Sequence, residues 1–395
     1  MKQNALIIIG RLSYPSGTAP SNRVHLYSKA LKGAGGFPFI INLHSTFNAP
    51  QTFNYLGRHD GIPFYYSQQT PLHEKNIFKR NIKKIIGLKN TILVTKRLSK
   101  NYHLKVLFYG TSSIDEIFLF IFFKFLRIRI IRDCCEAPLF LIKNKKNVGI
   151  YNYFLRLKVK MYDHIIVISD YLFQYYSAIF PKEKILKIPI LVDMNRFDRI
   201  INNRVNETKV ISYVGFMGGN KDGLENLIEA MALVNERMKN SKLNLIGSAP
   251  KKDILRLKNK VETLGLNDVV SFLGSKKADE IPAFLSSSDL LVLARPNTIQ
   301  AKAGFSTKLG EYLASGKPVV ITDTGEISKY LKDQQSAYLV EPDDIEKFAE
   351  KIICALSDTN SKNIGIEGMK VANQNFNYKL YGKNIVELIV QSEIA

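Results

Sequence analysis

At 395 residues the chain is long for one hydrophobic core and comfortable for two α/β domains. Its composition, 46% hydrophobic and 23% charged, excludes intrinsic disorder as a description of the whole. The net charge of +21 is lopsided: residues 1–200 carry 31 Lys and Arg against 11 Asp and Glu, whereas the remainder is almost balanced. Such a field serves solubility and favours anionic partners, whether lipid headgroups, nucleic acid or a phosphate-bearing substrate.

Ala5 to Ile9 is too short and too abruptly ended for a secretory signal and reads as a first strand. Further short runs rich in Ile, Val and Leu follow at 39–43, 106–109, 128–131 and 165–168, then at 209–214, 243–246, 269–273, 290–293 and 319–321. Continuous apolar strands alternating with helices predict parallel sheets covered on both faces, a doubly wound α/β architecture present twice. Between them, Leu224, Leu227, Ile228 and Met231 mark one buried helical face, and Ile345, Phe348, Ala349 and Ile352 mark another. A seam is expected between Pro189 and Asn206, where strand pattern gives way to a polar stretch.

Two segments depart from this pattern. Lys75 to Ile114 has no acidic residue but many Lys and Arg, with Phe78, Ile82, Ile85 and Ile86 on one helical face. That pattern fits a helix lying in a membrane interface and equally one docked on its own domain. Ile117 to Phe123, the most lipid-like run, is interrupted by Lys124 and is far shorter than the ~20 residues of a membrane span. Cys134, Cys135 and Cys354 form neither a disulfide framework nor a C-x-x-C pair, so a reducing compartment is the simplest setting.

Chemistry is expected at the carboxyl ends of the strands. After the first strand, the loop from Gly10 through Gly17, Ser21 and Asn22 to Arg23 is small and polar and suits an anion, but is no G-x-G-x-x-G. After the 209–214 strand, Gly215-Phe216-Met217-Gly218-Gly219-Asn220-Lys221-Asp222-Gly223 can bring backbone amides and an ammonium to a diphosphate, without the ending of a Walker loop. The third block is the most specific. Arg295 leaves the 290–293 strand, and Gly304-Phe305-Ser306-Thr307-Lys308-Leu309-Gly310-Glu311-Tyr312-Leu313-Ala314-Ser315-Gly316-Lys317-Pro318 runs through a helix into the next strand. Ser306 is a natural N-cap, Lys308 adds charge at the helix start, and Glu311 can accept both hydroxyls of a ribose.

Taken in order with Arg132 to Pro138, Asp163 to Ser169, Val192-Asp193, Arg196-Phe197, Leu245-Ile246-Gly247 and Phe272-Leu273-Gly274, these blocks resemble glycosyltransferase family four, the retaining nucleotide-sugar transferases. The resemblance implies a GT-B fold, two Rossmann-like domains facing across a cleft: an acceptor domain over 1–195, a donor domain over 206–375, and a helix at 376–395 returning to the first. It implies that Gly17, Gly215, Lys221, Gly274, Arg295, Ser306, Thr307, Lys308 and Glu311 bind the donor, with Ser21, Asn22 and Arg23 facing the acceptor. Two positions depart from the family pattern. Ala303 stands where an acidic residue usually handles donor-sugar hydroxyls, and Phe216 replaces an Arg, whose charge Arg295 or Lys308 can supply.

Lys221 and Lys308 are expected to stabilise the leaving diphosphate. Glu136 is the acidic residue to test beside the reaction, unless it pairs with Arg132. No cofactor and no metal are expected, there being no D-x-D and no ligand spacing among the histidines. His164 is expected to be structural. The partners expected are a nucleotide-sugar donor, a glycan or polyprenyl-linked acceptor of surface polysaccharide synthesis, and an anionic membrane surface on the cytoplasmic side. Nucleic acid is not expected, since no recognised module interleaves base-stacking aromatics with the charge. A nucleotide-sugar epimerase on the same fold and a non-catalytic carbohydrate-binding protein are the alternatives.

Overall fold

The computed structural model describes residues 2–15, 18–47, 53–111, 113–136, 138, 148–198 and 207–390. They form two compact units, one from Met1–Pro189 joined by the chain from Tyr378, the other Ile190–Asn377. The division falls at Pro189, at the start of the expected Pro189–Asn206 seam and before the 195 bound of the acceptor domain, Val192 already pairing with the end of the second unit through its N–H to the Phe376 carbonyl (2.8 Å).

In the first unit the strands are β1 (Gln3–Gly10), β2 (Phe37–Asn42), β3 (Leu56–His59), β4 (Ile62–Tyr66), β5 (Tyr102–Tyr109), β6 (Arg129–Cys134), β7 (His164–Val167) and β8 (Ile185–Lys187). Their order is β3-β4-β2-β1-β5-β6-β7-β8, parallel except for the β3–β4 hairpin. Leu6–Ile9 lie in the middle of this sheet and are wholly buried, which is why the run carries no polar alternation. The hairpin turns at Asp60-Gly61, both at positive φ, a signal present in the sequence as an Asp-Gly step but not read there. The helices are α1 (Ala19–Gly33), α2 (Ile77–Ser99), α3 (Ser113–Phe125), α4 (Val148–Val159) and α5 (Asp170–Ser177). Thr18, Asn76 and Ser169 cap α1, α2 and α5 with their side chains. The chain steps one way across the sheet from β1 to β2 and the other way from β5 to β8. Right-handed crossovers therefore put α1 on one face and α2, α3 and α4 on the other.

In the second unit the strands are β9 (Lys209–Val214), β10 (Ser241–Ile246), β11 (Val270–Gly274), β12 (Leu290–Leu293), β13 (Val319–Thr322) and β14 (Tyr338–Val340), ordered β11-β10-β9-β12-β13-β14 and all parallel. Order reverses at β9, so the carboxyl ends of β9 and β12 form the switch point where open α/β sheets bind ligands. Its helices are α6 (Leu224–Arg237), α7 (Lys251–Thr263), α8 (Ile281–Ser286), α9 (Ile299–Ala303), α10 (Thr307–Ala314), α11 (Ile327–Tyr330), α12 (Ile345–Ser357) and α13 (Ser361–Asn375). The last segment, read as one helix, is a 3-10 turn at Tyr378–Tyr381 followed by α14 (Gly382–Val390), which packs on α1 in the first unit. No helix among the described residues is long and apolar enough to cross a membrane.

Candidate functional site

The second unit gathers charge at its switch point. β9 ends at Val214, and the turn from Gly215 reaches Asp222, a buried carboxylate just before α6. The Asp222 carboxylate accepts from Lys308 Nζ (2.7 Å) and from the Tyr213 hydroxyl (2.7 Å). Arg295, buried just beyond β12, brings Nε to 3.8 Å of its other oxygen, and neither Asp222 Oδ1 nor Arg295 Nε has a hydrogen-bond partner. Burial pushes the Asp222 carboxyl up, but Lys308, Tyr213 and Arg295 outweigh burial and hold it below the usual carboxylate range. Burial lowers Arg295, opposed by Asp222.

Glycine is required where this cradle is tightest. A Cβ at Gly215 would overlap the end of the Lys308 side chain, and one at Gly247, itself at φ 143°, would strike the Gly215 carbonyl. Gly223, at φ 63°, packs against the Ala294 carbonyl. α10 is fixed beside β9 by the Tyr312 hydroxyl, which accepts from Val214 N (2.7 Å) and donates to Val214 O (3.2 Å). Lys308 therefore projects from the first turn of a clamped helix.

Sequence and structure part company at several side chains. Ser306 occupies the N-cap position of α10, but its buried Oγ makes no capping bond and has no partner. Thr307 follows it in the first turn, half-buried. Lys221 is exposed in the turn, and the pairing with Lys308 falls to Asp222, which sequence reasoning passed over. Glu311 lies one turn into α10 but is already engaged by Arg196, which also donates to the Ala278 carbonyl. Gly274 ends β11 at φ 67°, its carbonyl accepting from Gly247 N (2.9 Å). Ala303 is fully buried and Phe216 is exposed.

In the first unit, Gly17 lies outside the described residues. Ser21 is buried beside the Thr18 cap, and Asn22, half-buried, donates its N–H to the Thr18 carbonyl (2.8 Å). Arg23 is not available to an acceptor. It is buried, paired with Asp133 (3.4 Å) and donating to the carbonyls of Pro189 (2.7 Å) and Ile188 (2.8 Å). Tyr27 donates to the same Asp133 (2.6 Å), so the group ties α1 to β6 and to the end of the unit. Arg132 pairs with buried Glu116 rather than with Glu136, which is exposed. His164 is buried in β7, and its pKa is lowered to about 4 by burial and by the charge of Lys105.

Among the described residues one group could hold a metal ion: His25, His59 and Asp60, with ligand atoms within 4.8 Å of one another. Linear spacing could not show it, because α1 and the β3–β4 turn meet only in the fold. His25 Nε2 already bonds Asp60 (3.2 Å), its Nδ1 bonds the Tyr14 hydroxyl (2.9 Å), and Lys32 Nζ lies 3.3 Å from the Asp60 carbonyl. A cation there would meet the repulsion of Lys29 and Lys32.

Residues 208–358 match the family model described as Glycosyl transferases group 1. The fold is GT-B. The chain is 30% identical over 176 residues to the protein named as colanic acid biosynthesis glycosyltransferase WcaL of Escherichia coli K12, covering 44% of this chain and 42% of that protein. It is 28% identical over 179 residues to mannosylfructose-phosphate synthase of Agrobacterium fabrum, covering 42% and 38%. These matches span about two fifths of the curated relatives' own lengths. Among solved structures, sucrose-phosphate synthase of Thermosynechococcus elongatus superimposes with a TM-score of 0.75 at 17% identity, over 98% of this chain and 99% of that one. The Anabaena protein HepE in complex with UDP-glucose gives 0.70 at 15%, over 98% and 99%. The group 1 segment contains Gly215, Lys221, Asp222, Gly274, Arg295, Ser306, Thr307, Lys308 and Glu311.

Proposed function

We propose that the protein is a nucleotide-sugar-dependent, retaining glycosyltransferase whose donor diphosphate lies at the carboxyl ends of β9 and β12. The observation that carries this reading is the cradle around Asp222: Lys308 and Arg295 held side by side against a glycine-walled turn, with Ser306 Oγ and the Arg295 Nε unpartnered. Buried polar groups left without partners are costly, and a ligand that supplies acceptors repays that cost. Diphosphate oxygens match these donors. The open first turn of α10 adds backbone amides and the positive end of the helix.

In this reading Lys308, Lys221 and Arg295 stabilise charge as the bond from the sugar C1 to the phosphate oxygen breaks. The acceptor hydroxyl attacks C1 from the same face, and its proton passes to that phosphate oxygen, so configuration is retained without an enzymic nucleophile. Glu311, freed from Arg196, accepts the ribose hydroxyls, and Gly274 borders the nucleobase. Ser21, buried against the Thr18 cap, is not offered to an acceptor, and exposed Glu136 is the carboxylate to test for a part in transfer. Protein cations meet the charge of the diphosphate, so neither metal nor cofactor is required, and chelator should leave turnover unchanged. The acceptor is a glycan, carried on a polyprenyl diphosphate at the inner face of the membrane in surface polysaccharide synthesis. That fits the excess of Lys and Arg in residues 1–200.

A melting-temperature panel of UDP, GDP, dTDP, ADP and CMP tests the site. A ligand at 100 times its dissociation constant adds about 2.7 kcal/mol. One selective nucleoside diphosphate is expected to raise the melting temperature and to name the donor for transfer assays. No shift with any of them on folded protein overturns the reading, and donor turnover without acceptor replaces it with an epimerase.

A further inference from the structure

Three neighbouring helices of the first unit turn apolar side chains to solvent. On α2, Phe78 is 74% exposed and Ile85 69%; on α3, Phe118, Ile121 and Phe125 are exposed; on α4, Phe154 is. The helices lie on one side of the first unit's sheet. They connect consecutive strands on the same face of the sheet, α2 packs on α3, and Lys158 of α4 reaches Glu116 of α3 (2.5 Å). The face of α2 that sequence pattern left open to docking on its own domain is thus not consumed by that domain. Ile117, Phe118, Ile121 and Phe122 of the lipid-like run join it, whereas Leu119 and Phe123 are buried in the core.

Charge says what covers this surface. Between Lys75 and Arg132 the only acidic residues are Asp115 and Glu116. Both are buried, Asp115 bonded to His44 (2.9 Å) and Glu116 to Tyr162 (2.9 Å), Arg132 and Lys158. Lys79 and Lys84 of α2 and Arg127 just past the end of α3 are exposed, and exposed Lys124 is paired with Asp163 (3.3 Å). A second copy of the chain would set this cationic patch against itself, which like charge opposes. An anionic bilayer satisfies both features at once: aromatic and aliphatic side chains enter the boundary between headgroups and acyl chains, and ammonium and guanidinium groups stay among the phosphates. We infer that α2, α3 and α4 form a docking surface for anionic lipid.

This inference gives the membrane-held acceptor proposed above a contact surface, and rests on that reading only for its purpose. Lipid binding is read with no donor or acceptor present, so a chain that floats but transfers no sugar sinks the transferase reading alone. The experiment is flotation of the full chain with phosphatidylcholine vesicles, with and without phosphatidylglycerol, at low and high salt. The chain is expected to float with the anionic vesicles at low salt and to be released by high salt. Ile85→Asp with Phe125→Asp should cut partitioning at least about tenfold with no change in melting temperature, both side chains being solvent-facing. Lys79→Glu with Lys84→Glu should do so through charge alone. No flotation at low salt, or variants that float like the parent, overturns the inference. So does a dimer in light scattering that Ile85→Asp with Phe125→Asp dissolves, since that assigns the surface to self-association.

Discussion

Asp222 holds Lys308 in place from a position where burial by itself would favour the protonated acid. The pair therefore depends on both partners. Lys308→Ala leaves a buried carboxylate beside a single loosely placed guanidinium, and a stability loss of about 3 kcal/mol is expected on chemical denaturation. Adding Asp222→Asn should restore most of that stability but none of the transfer activity, which separates the folding role of Lys308 from its proposed role at the diphosphate. Gly215→Ala is a finer probe. The new methyl meets only the far end of the Lys308 side chain, so the fold should tolerate it while Lys308 is pushed from its place. A drop in donor affinity of at least about tenfold, with loss of stability near 1 kcal/mol, is expected from calorimetry and thermal melts. Lys308 was legible from its motif; Asp222 was not, because an acidic residue in a Gly-rich turn reads as solvated until β12 and α10 are brought against it.

Buried polar groups tie distant elements of the first unit together. Arg23 of α1 donates to Asp133 and to the carbonyls of Ile188 and Pro189, fixing where the unit ends. Arg23→Ala should cost about 3–5 kcal/mol, as removal of one partner of a buried pair does, whereas an acceptor-binding residue would alter KM and leave stability intact. α14 is held in the same way: Lys105 Nζ donates to the Leu388 carbonyl (2.5 Å), and Gly382 lets α14 approach α1 so closely that a Cβ would crowd the Ala30 carbonyl. Gly382→Leu is expected to destabilise the first unit by about 1–3 kcal/mol, with earlier hydrogen exchange in α1 and α14. That the last helix returns to the first unit followed from the resemblance; the residues holding it lie hundreds of positions apart and carry no local signal.

For the molecule as a whole, acid should destabilise through histidine before it reaches the carboxylates. His25 has its pKa lowered to about 4, first by burial and then by the nearby His59, against 6.5 when unfolded. His164 is lowered likewise to about 4. A base depressed in this way stays neutral in the fold while the unfolded chain takes up a proton, so its contribution is complete above pH 6.5 and is lost as pH falls toward 4. For His25 that contribution is about 3 kcal/mol. Melting temperature should fall steadily over this interval, and His164→Leu should flatten the fall. Asp222, depressed below 3.8, adds its loss only at lower pH still.

The sequence by itself determined the doubly wound class and the central strands, because strands buried on both faces must be continuously apolar, and that survives in the linear pattern. It also made the Ser306–Glu311 block legible, whose hydroxyls, glycine and charges are contiguous in one helix start. The short strands β8 and β14 escaped, too brief to show a period, as did the β3–β4 hairpin, whose apolar run is confined to β4. Tertiary structure alone decided which charges pair: Asp222 with Lys308, Glu311 with Arg196, Glu116 with Arg132, and Arg23 with Asp133 in place of an acceptor. Tertiary structure also decided that the apolar face of α2 meets solvent beside those of α3 and α4. The physical reason is common to both. Backbone periodicity is written locally, whereas ion pairing and exposure depend on which distant elements come within a few ångströms, and the sheet order sets that.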